Sequence, residues 1–371
     1  MSDPPATASL HRLPLHDRHV ALGARMAPFA GWEMPLQYES VLDEHHAVRD
    51  GAGMFDVSHM GRVTLDGPAA AAALRGVTTF DVTTIAPGEA HYSLFCNAEG
   101  GIDDDVFVYR IENARWLVVV NAANAEAGSA RLRTAYPAAR DVTTATVMLA
   151  VQGPRAIELL SGVLGDSLAE VAPRHCLAFA WRGVEVLLAR TGYTGEDGME
   201  CILPAEAGGA LWDALVGAGV RPAGLAARDT LRLEAALPLH GHDIDAATSP
   251  YEAGLGFAVS LDDTAPFTGR AALEAAHATP PARRLACIRI LERAVPRAEM
   301  EVLDASGTAV TALTSGTFSP TLRAGIGMAY LPAPLASPGT PLHVRVRDRL
   351  VPAEVVRRPF YRRPRARATE A

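Results

Sequence analysis

A chain of 371 residues, 49% of them hydrophobic, is long enough for two or three domains and can fill more than one packed core. Its net charge of −8 argues against general nucleic-acid binding, and no apolar run approaches the ~20 residues that a membrane span needs. It contains no lysine, which excludes Schiff-base catalysis, a Walker A phosphate loop, a kinase lysine and a Ser-Lys pair.

The first segment, residues 1–14, has prolines and no apolar centre, so it does not read as a secretory signal; a frayed start and a cytoplasmic location are expected. Ser40, three residues before Asp43, predicts a capped helix over 41–48. The consecutive histidines His45 and His46 point to different helix faces, and there is no HExxH, so no metal site is expected. Residues 62–66 alternate like a strand, Gly67-Pro68 breaks the chain, and an alanine-rich helix follows over 69–74. The same strand, Gly-Pro, helix order returns with a strand over 149–152, Gly153-Pro154 and a helix over 156–164. This echo hints at related α+β units.

Between the two units, strands are predicted over 90–96, 105–110 and 116–121, with a turn at Gly100-Gly101 and a helix over 122–134. A further helix is predicted over 224–236, stopped by Pro238. Pro280-Pro281 marks a linker. Beyond it short alternating strands, such as 285–291 and 341–346, read as a small β-barrel or sandwich. The fold class is therefore α+β, with an all-β end. The cysteines Cys96, Cys176, Cys201 and Cys287 form no CxxC pair, and no GxGxxG stands at a strand-helix junction.

Three segments carry chemistry. The first is the run Asp103, Asp104, Asp105. Taken alone it reads as an acidic solvated turn, but strand alternation puts Asp105 on the face of Phe107 and Tyr109. A carboxylate beside two aromatic rings tends towards a raised pKa. Asp104 falls on the opposite face, where substitution is expected to matter far less. The second is Arg190-Thr-Gly-Tyr-Thr-Gly-Glu-Asp-Gly-Met-Glu200. Glu200 is either an edge-strand glutamate in water or a carboxylate matched to a paired N–H edge, such as that of a pterin or guanine. The third is Gly224-Leu-Ala-Ala-Arg-Asp-Thr-Leu-Arg-Leu-Glu234, where Arg228 and Arg232 share one helix face. They either hold a carboxylate or pair with Asp229 and Glu234. The basic run over 357–367 suits an acidic partner, a polyglutamate tail or a solubilising tail.

Further motifs join these in order. They are Pro28-Phe-Ala-Gly-Trp-Glu-Met-Pro35, Gly53-Met-Phe-Asp-Val-Ser-His-Met-Gly61, Asn97-Ala-Glu-Gly-Gly-Ile102 and Thr314-Ser-Gly-Thr-Phe-Ser-Pro-Thr-Leu322. Over about residues 15–361 the set resembles the glycine-cleavage aminomethyltransferase (T-protein) family. The resemblance implies a three-domain fold around a central folate channel, with a C-terminal β-barrel. Its folate-binding domain would comprise 1–60 and 145–260, an α+β subdomain with the catalytic aspartate 61–144, and the barrel 282–371. It implies that an aminomethyl group on the lipoyl arm of H-protein gives its carbon to tetrahydrofolate, releasing ammonia, with no metal.

By the same resemblance Asp105 is the catalytic residue. Glu200 and Arg228 would bind folate, with Tyr92, Tyr109, Asn121, Tyr193 and Tyr361. The chain departs from the family pattern at Ala226, where glycine is usual, and at Asp103, whose extra charge is expected to raise the pKa of Asp105. Two other functions remain open: a folate-dependent demethylase of a small methylated compound, and a folate-binding protein without transferase activity. The second class centres on a Lys-Gly-Cys motif, which a lysine-free chain lacks.

Overall fold

The computed structural model describes residues 10–165 and 168–364. Four sheets organise the chain, and sheet membership follows from where the sequence alternates. A six-stranded sheet contains Gly53–Asp56, Thr146–Gln152, Cys176–Trp181, Val184–Ala189, Gly198–Pro204 and the short Arg221–Pro222. Its middle strands are buried along almost every residue, and the helices Ala156–Leu164 and Ala205–Gly217 contribute Leu160, Leu211 and Trp212 to the same core.

A five-stranded antiparallel sheet holds Glu89–Cys96, Ile102–Glu112, Arg115–Val120, Gly61–Asp66 and Arg140–Asp141. Its residues lie within the interval between Gly53–Asp56 and Thr146–Gln152, so the chain leaves the six-stranded sheet, builds the second and returns. The faces of the two sheets meet in a shared apolar cluster that includes Phe55, Tyr109, Leu117, Met148 and Ile202. The third, three-stranded sheet is made of His11–Arg12, Trp32–Gln37 and Arg25–Phe29. The fourth, from Arg283–Ile290 to Arg349–Val356, has seven antiparallel strands with an apolar core of their own.

The repeated strand, Gly-Pro, helix unit is real at the backbone level. Gly67 and Gly153 both have left-handed φ, +130° and +134°, each between a strand end and a helix start. At Gly153 a Cβ would stand 2.4 Å from the Gly51 carbonyl oxygen, so glycine is required twice over. Ser40 accepts from the Asp43 amide at 3.1 Å and caps the helix Val41–Asp50, two residues longer than predicted.

Several expectations need correction. The predicted strand over 105–110 begins earlier, at Ile102, because Asp103 and Asp104 find partners inside the protein. The predicted helix over 122–134 is a 3-10 turn, Ala122–Asn124, followed by the helix Ala125–Ala135. The predicted helix over 224–236 is Leu225–Glu234, since Ala236 turns left-handed at φ +53°. Residues 1–9 of the expected frayed start lie outside the described residues. From His11 the chain already pairs with Trp32, and Leu13 is buried. No helix among the described residues is long and apolar enough to cross a membrane.

Candidate functional site

Where the six-stranded and five-stranded sheets, the helix Leu225–Glu234 and the C-terminal sheet converge, they leave a cavity of about 870 Å³. That is the size of a site for a drug-sized ligand. One wall is the strand Ile102–Glu112, and its alternation places Asp105, Phe107 and Tyr109 on the cavity side. Tyr92, on the neighbouring strand, donates its hydroxyl to Asp105 Oδ2 at 3.0 Å. Asn121 Nδ2 donates to Asp105 Oδ1 at 2.7 Å. Asp105 opens onto the cavity but lies deep in the molecule. Burial raises its pKa, against the opposing effects of the Tyr92 bond, His240 and the Asn121 bond.

The second carboxylate in the cavity comes from the other sheet. Glu200 is 8% exposed, and its Oε2 accepts from Thr191 at 2.5 Å and Tyr109 at 3.2 Å. Both bonds end on one oxygen, which leaves Oε1 as an acceptor for a ligand.

Arg228 faces the same cavity from the helix. Its guanidinium carbon lies 4.8 Å from the centre of the Tyr193 ring. Its buried Nη1 has no hydrogen-bond partner among the described residues. Burial pulls its pKa down, and the charge of Glu200 opposes that shift. A buried cation with an empty donor is costly unless a ligand completes it. Arg232, one turn on, behaves differently. It bonds Asp229 at 2.8 Å, Asp243 at 2.6 Å and Ser315 at 2.9 Å, so it is a structural clamp to the C-terminal sheet. The expected alternative pairing with Glu234 is not made, because Glu234 is taken by Arg49 at 2.8 Å.

Tyr92, Tyr109, Asn121 and Tyr193 all line the cavity with Asp105, Glu200 and Arg228. Tyr361 does not; Arg49 lies 4.2 Å above its ring, away from the cavity lining. Ala226, the departure from the glycine of the family pattern, also lines the wall. The Asp103 carboxylate is bonded to Arg131 at 2.5 Å, which neutralises it. The rise at Asp105 comes from burial, and the neighbour that feels the Asp105 charge is Asp104, whose pKa it raises. The basic C-terminal run is tied down over its described part. Arg358 donates to the carbonyls of Ala236 and Ala253, and Arg363 bonds Glu196 and Arg49; residues 365–367 of that run lie outside the described residues.

Two cavity residues were not singled out from sequence. His59 is buried, its Nδ1 has no hydrogen-bond partner among the described residues, and burial together with the Arg228 charge drives its pKa down to about 3. It is therefore a neutral ring at the cavity wall. The only sequence signal was a polar residue in the short link between two buried strands. The second is His240, in the loop after Pro238.

Models of known families match both parts of the chain. The GCVT N-terminal domain matches residues 15–263, and the glycine cleavage T-protein C-terminal barrel domain matches 283–362. The chain belongs to the glycine cleavage T-protein family. It is 46% identical to an aminomethyltransferase of Synechococcus sp. (strain CC9311), over 94% of this chain and 98% of that protein. It is 44% identical to an aminomethyltransferase of Saccharopolyspora erythraea, over 96% and 99%. The crystal structure of glycine cleavage system aminomethyltransferase T from Bartonella henselae superposes with a TM-score of 0.90 at 35% identity, covering 95% of this chain and 98% of that one. The chain is thus a folate-dependent transferase of the aminomethyltransferase type, with an α+β body and a C-terminal barrel domain.

Proposed function

We propose that this transferase moves the methylene carbon of an aminomethyl group, carried on the lipoyl arm of H-protein, to tetrahydrofolate. The products are 5,10-methylenetetrahydrofolate, ammonia and dihydrolipoyl H-protein. The observation that carries the reading is the unfilled polar inventory of the cavity. Among the described residues it offers one carboxylate oxygen on Glu200, one unpartnered cationic donor on Arg228, and a deep carboxylate on Asp105 among aromatic rings. This set fits a flat, apolar-faced ligand that has a paired N–H edge and a distant carboxylate, which is the chemistry of a folate.

In this reading Glu200 takes the N–H edge of the pterin, and Tyr109 and Thr191 fix the glutamate in place. Arg228 supplies its free donor to the ligand. Tyr92, Phe107 and Tyr193 provide apolar faces, and the walls exclude water. Two N–H protons of the acceptor must be lost as the carbon is bound. One leaves with the nitrogen as ammonia and the other goes to the lipoyl sulfur. Asp105 sits where it can hold one of those protons or stabilise positive charge on the carbon. The reading assigns no step to a metal.

The test follows the carbon. H-protein bearing a ¹³C-labelled aminomethyl group, mixed with this protein and tetrahydrofolate, should give labelled methylenetetrahydrofolate and an equal amount of ammonia. Label that stays on the carrier while folate is bound would sink the reading.

A further inference from the structure

Asp104 lies one residue before Asp105, on the other side of the strand, and is 2% exposed. It does not line the cavity. Its Oδ2 accepts from the Asn121 backbone N–H at 3.1 Å. Its Oδ1 accepts from the side-chain amides of Asn121 and Asn124, each at 2.8 Å. The same Asn121 nitrogen is the one that donates to Asp105 Oδ1 at 2.7 Å. That nitrogen also lies 3.0 Å from the Asp105 backbone carbonyl, so its two hydrogens are shared between the two carboxylates and that carbonyl, with the carboxylates the shorter contacts.

The array continues behind Asp104. Asn124 Nδ2 is 3.1 Å from His240 Nδ1, and His240 Nε2 is 3.1 Å from the Ile102 carbonyl. A carbonyl only accepts, so Nε2 donates to Ile102, and in the neutral ring Nδ1 accepts from Asn124.

We propose that Asp104 is a positioning residue for the transfer reaction: backed by Asn124 and His240, it orients the Asn121 amide that holds the Asp105 carboxylate. This inference rests on the transferase reading given above. It reverses the expectation that a side chain on the far face matters little. Burial and the adjacent Asp105 charge push the Asp104 carboxyl up to about 7, as befits two carboxylates sharing one donor.

The isosteric change Asp104→Asn isolates the effect. If the new amide oxygen faces the two asparagine side chains, its N–H₂ meets the Asn121 backbone N–H. If it is turned round, its N–H₂ meets both side-chain N–H₂ groups. Either way a donor faces a donor of Asn121, the backbone N–H in the first case and the side-chain amide in the second, and relief of that clash shifts Asn121 from its place beside Asp105.

The experiment pairs a crystal structure of Asp104→Asn with its kinetics on aminomethylated H-protein and its tetrahydrofolate affinity. The expected structure has Asn121 Nδ2 beyond hydrogen-bond distance, about 3.5 Å, from Asp105 Oδ1. The expected kcat is ~10–100-fold down, with folate affinity within about threefold, as for a misplaced reacting group. The proposal is overturned if the Asn121–Asp105 bond persists, if kcat changes less than about twofold, or if affinity and kcat are lost together as in a merely structural defect. Should Asp104→Asn fail to fold, Asn124→Ala decides by the same readouts, since it removes the support of Asp104 and leaves both carboxylates. A parent protein that transfers no carbon would count against the transferase reading, whereas the crystallographic readout judges the positioning by itself.

Discussion

Tyr109 donates its hydroxyl to Glu200 at 3.2 Å, and the two residues belong to different sheets. The bond spans the junction at which the cavity forms. It fixes a carboxylate from the six-stranded sheet against an aromatic ring from the five-stranded one, with Thr191 on the same oxygen.

Removing that carboxylate should therefore strike folate binding first. Glu200→Ala is expected to weaken tetrahydrofolate binding by at least ~10-fold, the equivalent of a charged hydrogen bond worth about 1.5–3 kcal/mol. Calorimetry on the folded variant checks this. An unchanged affinity would place the N–H edge of the ligand elsewhere.

Asp105→Asn should leave folate affinity within a few-fold and lower turnover by roughly 10²–10⁴-fold, the range for a lost acid–base group. The asparagine cannot take a proton as the carboxylate can, although it preserves the volume. Steady-state kinetics together with a binding titration separate the two effects. Near-normal turnover would remove Asp105 from the chemistry.

Arg228 and Arg232 share a helix face but predict opposite phenotypes. Arg228 has a buried donor with no partner among the described residues, so Arg228→Met should leave the unfolding temperature equal or higher while weakening folate binding. Arg232→Met strands buried Asp243 and should cost about 3–5 kcal/mol. Thermal and urea unfolding of both variants distinguish them. Equal destabilisation would contradict the assignment of one as ligand-facing and the other as structural.

The sequence made some of this legible and hid the rest for physical reasons. Strand alternation put Asp105 with Phe107 and Tyr109, and helix periodicity put Arg228 with Arg232, because both are local geometry. Partners were another matter. Arg232 meets Asp243 beyond the helix end, and Arg49 meets Glu234 across 185 residues, so no local period could report either pair. His59 and His240 reach the cavity only because separate segments converge there. Tyr361, reached through motif order alone, packs over Arg49 instead. Asp104 was expected to matter less because alternation puts it on the opposite face of the strand; alternation could not report that the turn at 121–124 covers that face and buries it.

Acid stability should depend on Glu234, which joins the helix Leu225–Glu234 to Arg49 and to Ser319 and Thr321 of the C-terminal part. Burial would raise its pKa, but the His45 bond and charge, the Ser319 bond and the Arg49 charge outweigh it and bring it from 4.5 to about 2. A depressed folded-state pKa stabilises the fold above the unfolded value and loses that contribution as the pH falls. The window here runs from 4.5 down to about 2, and the contribution is about 3 kcal/mol. Urea unfolding of the parent and Glu234→Gln should show a stability gap that closes by about that amount between pH 6 and pH 2. A gap independent of pH would contradict the pairing.

In the proposed function the carbon donor is a carrier protein rather than a free methylated compound. Carrier contacts remote from the reacting carbon would help position it, so a detached mimic should react far more slowly. The decisive measurement is kcat/KM with tetrahydrofolate for aminomethylated H-protein, set beside dimethylglycine, sarcosine and methylated sulfur compounds without the carrier. Ammonia and methylenetetrahydrofolate are expected from the carrier, and a kcat/KM at least ~10³-fold lower for every small compound, within the range that orientation supplies. A silent carrier reaction beside rapid turnover of one small compound would contradict it and make the protein a demethylase.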